Sequence, residues 1–238
     1  MPELPLLKIS IVIPTLNEAK AIAQTINTAQ NSTQVEIIIV DGGSTDGTIE
    51  AISTFQVICA PRGRAIQMNT GAAAASGDIL LFLHADTLLP PGFDTWVRQI
   101  LAQPGIIAGA FQLKIDDQNP GLRLVEKMVN LRSHHCQMPY GDQAIFLKTT
   151  TFKQLGGFPQ QPIMEDLELI RKLQKQGKIA IAPLPVTTSA RRWQKLGILK
   201  TTLINQIVII AYFLGISPNR LASWYRQNHK NNSIYKQK

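Results

Sequence analysis

The chain has 238 residues, 45% of them hydrophobic and 17% charged, and its 24 Lys and Arg against 16 Asp and Glu give a net charge of +8. With 16 Gly, 14 Pro and no biased tract, collagen-like, coiled-coil and largely disordered chains are excluded, leaving one globular domain or a domain with an appendage. Cys59 and Cys136 form no C-x-x-C pair, so neither a disulfide scaffold nor a redox or thiolate zinc motif is suggested, and a reducing compartment is expected.

Met1 to Lys8 lacks the basic start and apolar stretch of a cleavable leader, which predicts a cytoplasmic protein. Ile9 to Ile13 (ISIVI), Val35 to Val40 (VEIIIV), Phe55 to Ala60 (FQVICA) and Ile79 to Leu83 (ILLFL) are short and nearly all apolar, as strands buried on both faces of a parallel sheet are. Helices are expected from near Glu18 to about Gln30, after Ser44 to Asp46, and from about Gly63 to Ser76, where Gly77 stops the last. Four β-α repeats with short connections predict an α/β fold, a doubly wound and mostly parallel central sheet. Such sheets bind ligands at the carboxyl ends of their strands.

Polar residues crowd those ends: Pro14-Thr15-Leu16-Asn17-Glu18, Asp41 to Thr48 (DGGSTDGT) and His84-Ala85-Asp86-Thr87. Asp41 follows a buried run, where a carboxylate is costly unless it is bonded, and a base or ribose hydroxyl would supply the partner. Asp46 and Thr48 suit the cap of the next helix. Asp86 alone reads as a turn residue. Beside Asp41 it reads as a ligand for Mg²⁺ or Mn²⁺, ions that take one or two protein carboxylates and fill the remaining positions with water and phosphate oxygens. Arg62 and Arg64 suit a diphosphate, or else an exposed helix start.

Further on, Met164 to Lys175 has the pattern of an amphipathic helix with acidic residues at its favourable N-terminus. His134-His135-Cys136 are adjacent, and adjacent side chains diverge, so they are not read as a metal site. Charge is divided unevenly. Residues 1–168 carry 11 basic and all 16 acidic side chains, residues 169–238 carry 13 basic and none acidic. Within that basic part Ile207 to Ile216 is apolar but too short to span a membrane. Leu199, Leu203, Ile207, Ile210 and Leu214 recur at helical spacing between Trp193 and Trp224. One or two helices are expected there, packed on the domain by default or resting on the inner membrane surface.

Taken together, IVIPTLNEA, EIIIVDGGSTDGT, RGRAIQMNTGAAAASGD and LLFLHAD resemble the front half of family 2 glycosyltransferases of the A-type nucleotide-sugar fold. YGDQAIF (140–146), LGGFP (155–159) and MEDLEL (164–169) resemble the acceptor side of that family, so the likeness runs over roughly residues 8–195. The Arg-Gly-Arg and His-Ala-Asp variants are most similar to a subgroup of small bacterial transferases associated with radical SAM or selenium-related proteins.

The resemblance implies a domain over 1–190, with a donor half at about 8–115 and an acceptor half at about 116–190, followed by a helical extension at 191–238. It implies that Pro14, Thr15, Asn17 and Glu18 hold the nucleoside and that Asp41 contacts the base. Asp86 would bind the divalent metal, while His84 replaces the first aspartate of a D-x-D motif and Arg64 faces the diphosphate. Asp166 would be the catalytic base with Glu165 beside it, and Tyr140 and Asp142 would line the acceptor pocket. Arg191-Arg192-Trp193 resembles a loosely spaced Q/R-x-x-R-W motif, with Arg192 and Trp193 at the acceptor and diphosphate side. The implied reaction is an inverting transfer from a nucleoside diphosphate sugar, UDP-linked by preference, to a small-molecule or lipid-linked acceptor. The competing reading is a catalytically silent nucleotide-sugar-binding protein. A nucleotidyltransferase would need Gly and Lys in the first loop, and nucleic-acid binding would need an aromatic-basic motif; neither is present.

Overall fold

The computed structural model describes residues 6–234 apart from Asn31. In chain order the elements are β1 (Ile9–Thr15), α1 (Ile22–Gln30), β2 (Val35–Asp41), α2 (Thr48–Ala51), β3 (Val57–Cys59), α3 (Arg64–Ala74), β4 (Ile79–Phe82) and β5 (Thr87–Leu88). They continue as α4 (Phe93–Leu101), β6 (Ile106–Asp116), α5 (Pro120–Cys136), a 3-10 turn (Gly141–Gln143), β7 (Phe146–Lys148), α6 (Thr149–Gln154), α7 (Glu165–Gln174) and β8 (Lys178–Ser189). The helices α8 (Arg191–Leu196), α9 (Ile198–Phe213) and α10 (Pro218–Ile234) follow.

Among the described residues the strands form one sheet in the order β3-β2-β1-β4-β7-β6-β8-β5. The first four strands run parallel, as do β6 and β8, while β7 is antiparallel to both β4 and β6, and β5 is antiparallel to β8. The expected mixed α/β fold is therefore present. Alternate side chains of β1 serve opposite faces, as the pleat requires. Ile9, Ile11 and Ile13 pack with Ile22 and Ile26 of α1 and with Phe93 and Val97 of α4. Val12, with Val40 and Leu80 from its neighbours, packs with Met68 and Ala72 of α3 and Leu169 and Ile170 of α7. Each such fully buried aliphatic side chain contributes about 1.5–3 kcal/mol. Gly71 lets α3 approach this closely: a Cβ there would lie 2.4 Å from Val12 Cγ1.

Two boundaries and the facing of one helix differ from the sequence expectation. The first helix begins at Ile22, because residues 18–21 form a turn in which Ala21 and Ile22 both donate to the Glu18 carbonyl. The third strand shrinks to Val57–Cys59 at the sheet edge, while Phe55 turns inward against the core. The C-terminal stripe does not follow its default of packing on the domain. Leu199, Leu203, Ile207, Ile210 and Leu214 are exposed, and α9 instead buries Thr201, Ile204 and Val208. A helix apolar on every side carries no periodic signal to say which side faces inward.

Candidate functional site

The ends of β1 and β2 are tied together by their own loops. Asn17, held at φ 55°, receives a bond from Thr45 N at its Oδ1 (2.8 Å) and donates its backbone N–H to Ser44 Oγ (2.9 Å). Glu18 N donates to Thr48 Oγ1 at 2.8 Å. Asp41 is buried, and its Oδ2 accepts from Gly43 N (2.8 Å) and Ser44 N (2.9 Å) while Ser44 Oγ donates to Oδ1. The partner expected from a ligand is thus already supplied by the chain, which fixes the carboxylate at the strand end. Thr15 is buried and Pro14 lies beside it in β1.

Gln67 of α3 did not stand out in the sequence. Its buried Nε2 donates to Thr15 O (2.8 Å) and Val40 O (2.9 Å), bridging the ends of β1 and β2. A Cβ at Gly42 would lie 3.0 Å from Gln67 Oε1, so the first glycine of the Gly42-Gly43 pair makes room for this bridge. The available signal was an amide among small and apolar residues on a helix that must pack against a sheet.

At the end of β4, Asp86 Oδ2 meets Arg191 Nη2 at 2.9 Å, and the same guanidinium nitrogen reaches Glu18 Oε2 at 2.5 Å. Two carboxylates from different loops therefore share one cation from the start of α8. Burial raises the Glu18 pKa, opposed by its bond to Arg191 and assisted by the Asp86 charge. Within the Arg191-Arg192-Trp193 run it is Arg191, rather than the expected Arg192 and Trp193, that reaches these carboxylates. Arg192 donates to Tyr225 Oη at 2.9 Å, and Trp193 packs in a small cluster with Leu113, Ile115 and Leu122.

His84 is held neutral. Burial, reinforced by the Arg64 charge, depresses its pKa to about 4 against the opposing pull of Asp86 and Asp166. Its Nε2 is buried with no hydrogen-bond partner among the described residues. Glycine at position 141 leaves space beside it: a Cβ there would lie 3.1 Å from His84 Nε2 and 3.2 Å from Asp166 Oδ2. Gly141 N donates to Asp166 Oδ2 at 2.8 Å, and Leu167 N donates to Oδ1 at 2.8 Å.

Asp166 and Glu165 open α7 behind Met164, which adopts a left-handed φ of 67°. Such a conformation in a non-glycine residue costs on the order of 1 kcal/mol and is retained where the surroundings enforce it. Glu165 is buried and paired with Arg64, Nη1 to Oε1 at 3.4 Å, so Arg64 reaches the acceptor-side carboxylate while Arg62 is exposed. Burial raises the Glu165 pKa, Arg64 lowers it, and Asp166 raises it again. Burial also raises the Asp142 pKa, and its Oδ1 has no hydrogen-bond partner among the described residues. Tyr140 lies under Arg132, whose Cζ is 3.6 Å from the ring centroid. Buried Gln143 supports this turn by donating to Phe111 O (2.8 Å) and accepting from Ser133 Oγ (2.8 Å).

Glu18, His84, Asp86, Glu165 and Asp166, with Arg64 and Arg191, thus converge from strand ends and helix starts far apart in sequence. Asp41, Asn17 and Thr15 support the same edge from within, and Trp193 stands apart in its own cluster. Among the described residues no three His, Cys, Asp or Glu side chains form a ready metal cage. Asp86 has the donor chemistry of a hard-cation site in which phosphate oxygens complete the shell, and the Arg191 guanidinium marks it as a place that accepts positive charge.

A sheet of this order with charged side chains gathered at its strand ends has the A-type architecture of glycosyltransferases. The profile of glycosyl transferase family 2 matches residues 10–154, and the chain belongs to that family. The probable glycosyltransferase YdaM of Bacillus subtilis is 26% identical over 217 residues, covering 79% of this chain and 51% of its own length. The chain spans about half or less of the length of the curated relatives it matches. A mannosyltransferase from Pyrobaculum calidifontis, solved with GDP-Man and Mn²⁺, superposes with a TM-score of 0.64 at 21% identity over 95% of this chain and 71% of its own. Glucosyl-3-phosphoglycerate synthase from Mycobacterium tuberculosis, solved with Mn²⁺ and UDP-glucose, gives 0.59 at 22% identity over 84% and 78%.

Proposed function

We propose that the chain is an inverting glycosyltransferase that moves a sugar from a nucleoside diphosphate sugar, UDP-linked by preference, to an acceptor hydroxyl. The observation that carries this reading is the meeting at Gly141, where Asp166 from α7 and His84 from the end of β4 lie against the same glycine. Donor-side and acceptor-side residues are thereby brought within reach of one reacting centre. In the reaction the acceptor oxygen bonds to the anomeric carbon as the bond from that carbon to the diphosphate oxygen breaks. The hydroxyl proton passes to the Asp166 carboxylate, and the diphosphate departs with the bonding electrons.

Asp166 is oriented for this by its two backbone donors, Gly141 N and Leu167 N. Glu165, held by Arg64, borders the acceptor position with Tyr140 and Asp142. Pro14, Thr15, Asn17, Glu18 and Asp41 form the wall for the nucleoside. Asp86 would hold Mg²⁺ or Mn²⁺, which when bound neutralises charge on the departing diphosphate. Arg191 holds Asp86 and Glu18, so a cation held by Asp86 would compete with this guanidinium for the carboxylate. The donor half at about 8–115, the acceptor half at about 116–190 and the extension from 191 then cooperate, because the first residue of α8 closes on a donor-side carboxylate. Assignment to the subgroup associated with radical SAM or selenium-related proteins rests on the Arg62-Gly63-Arg64 and His84-Ala85-Asp86 triplets alone.

The rival is a nucleotide-sugar-binding protein without activity, and the observation in its favour is the neutral histidine in place of an aspartate. The two separate on release of UDP from UDP-sugars with Mn²⁺ or Mg²⁺. Metal-dependent hydrolysis or transfer that is lost in Asp86→Ala establishes the enzyme, whereas metal-independent donor binding without turnover establishes the binder.

A further inference from the structure

We propose that the outward side of α9 is a docking surface for an anionic lipid bilayer. Leu199 is 87% exposed, Leu203 61% and Ile210 58%, one apolar row on a helix whose opposite side is already seated, and Leu214 (77%) continues it just past the last turn. Inward, Val208 joins Met164 and Leu167 in a cluster that also takes in Tyr212 and Tyr225, so rotation of α9 would unseat a formed core. The neighbouring α5 repeats the pattern with exposed Leu124, Met128 and Leu131. Scattered single hydrophobics on a surface need no explanation, but ordered rows on two adjacent helices mark an interaction site.

Charge selects the occupant. Lys195, Lys200, Arg220 and Arg226 are exposed on α8, α9 and α10, and residues 169–238 contain no acidic side chain. A second copy placed face to face would present like charge to like charge, because a two-fold interface apposes the same patch of both subunits. An anionic leaflet complements this positive charge and takes up the apolar row at its headgroup boundary. No helix among the described residues is long and apolar enough to cross a membrane, which fits α9 lying along the surface. Only Gly197 separates α9 from α8, whose Arg191 grips Asp86, so the seated surface is mechanically close to the proposed transfer site.

The test uses the full chain and sedimentation with phosphatidylcholine vesicles, with or without phosphatidylglycerol, at low and high salt. No donor is present, so the outcome is independent of the glycosyl-transfer reading. Binding about tenfold or more stronger to the anionic vesicles, weakened by salt, is the expected result. The double variant Leu203→Glu/Ile210→Glu should abolish it with an unchanged melting temperature, since both positions are exposed in the folded protein. Absence of binding to either vesicle overturns the proposal. So does a dimer in analytical ultracentrifugation that the same variant dissolves, which would assign the surface to a second copy.

Discussion

The donor-side loops and the acceptor-side half with its C-terminal helices treat their polar and apolar groups in opposite ways. At the ends of β1 and β2 nearly every polar group has a partner within the chain: Asp41 collects three donors, Asn17 bonds twice to the facing loop, and Gln67 spans both strand ends. Where the two halves meet at Gly141, donor-side His84 Nε2 and acceptor-side Asp142 Oδ1 are buried with no hydrogen-bond partner among the described residues, and α9 turns an apolar row to water. Unmade bonds and exposed apolar rows are costly in a folded chain, and they concentrate where ligands or surfaces arrive. The loops at the ends of β1 and β2 are therefore preorganised, while the meeting point at Gly141 and the C-terminal helices are completed by what they bind.

The comparison breaks most visibly at Asp166. Asp166→Asn keeps the shape and, through its one amide oxygen, one of the two bonds from Gly141 and Leu167, but cannot take a proton, so sugar transfer should fall by about 10²–10⁴ while UDP affinity, measured by calorimetry, persists. An equal loss of UDP binding would make Asp166 part of the preorganised wall instead. On the donor side Gln67→Ala removes two bonds to buried carbonyls and should cost about 2 kcal/mol. That corresponds to a melting temperature lower by roughly 4–8 °C in a chain of this size. UDP affinity should fall with it, since the loops it joins form the nucleoside wall.

A smaller effect tests how far local satisfaction extends. Partial burial pushes Glu36 up, but bonds from Lys8, Ser10 and Ser76 outweigh it and hold its pKa at about 2. Because the folded value lies below the ordinary 4.5 of a free glutamate, the ionised form stabilises the fold above that pH, and the contribution disappears as pH falls from about 4.5 towards 2 and below. Screening at this partly exposed edge limits it to about 1 kcal/mol. Urea denaturation should show Glu36→Gln less stable by that amount at pH 7 and indistinguishable from the parent at pH 2. The smallest effect concerns Arg191. Arg191→Ala frees Asp86 and Glu18, so Mn²⁺ affinity measured by paramagnetic resonance should tighten about threefold to tenfold, a gain of about 1 kcal/mol. Weaker Mn²⁺ binding would show that Arg191 supports the site rather than competing for it.

What the sequence alone determined was whatever depends on near neighbours. Runs such as ISIVI and ILLFL place buried strands, the glycines and polar residues after them place the loops at the sheet's carboxyl edge, and Glu165-Asp166 sit at a helix start, because each rests on periodicity or turn chemistry within a few residues. Only the tertiary structure decided which distant groups meet. Gln67 looks like any helix amide until two strand ends lie above it, and Arg191 is one arginine of a basic run until α8 sets it against Asp86 and Glu18. The orientation of α9 was equally out of reach. Its two sides are similarly apolar, so the choice between Val208 and Leu203 as the inward residue fell to the cluster around Met164 and Leu167, built by a segment some forty residues earlier.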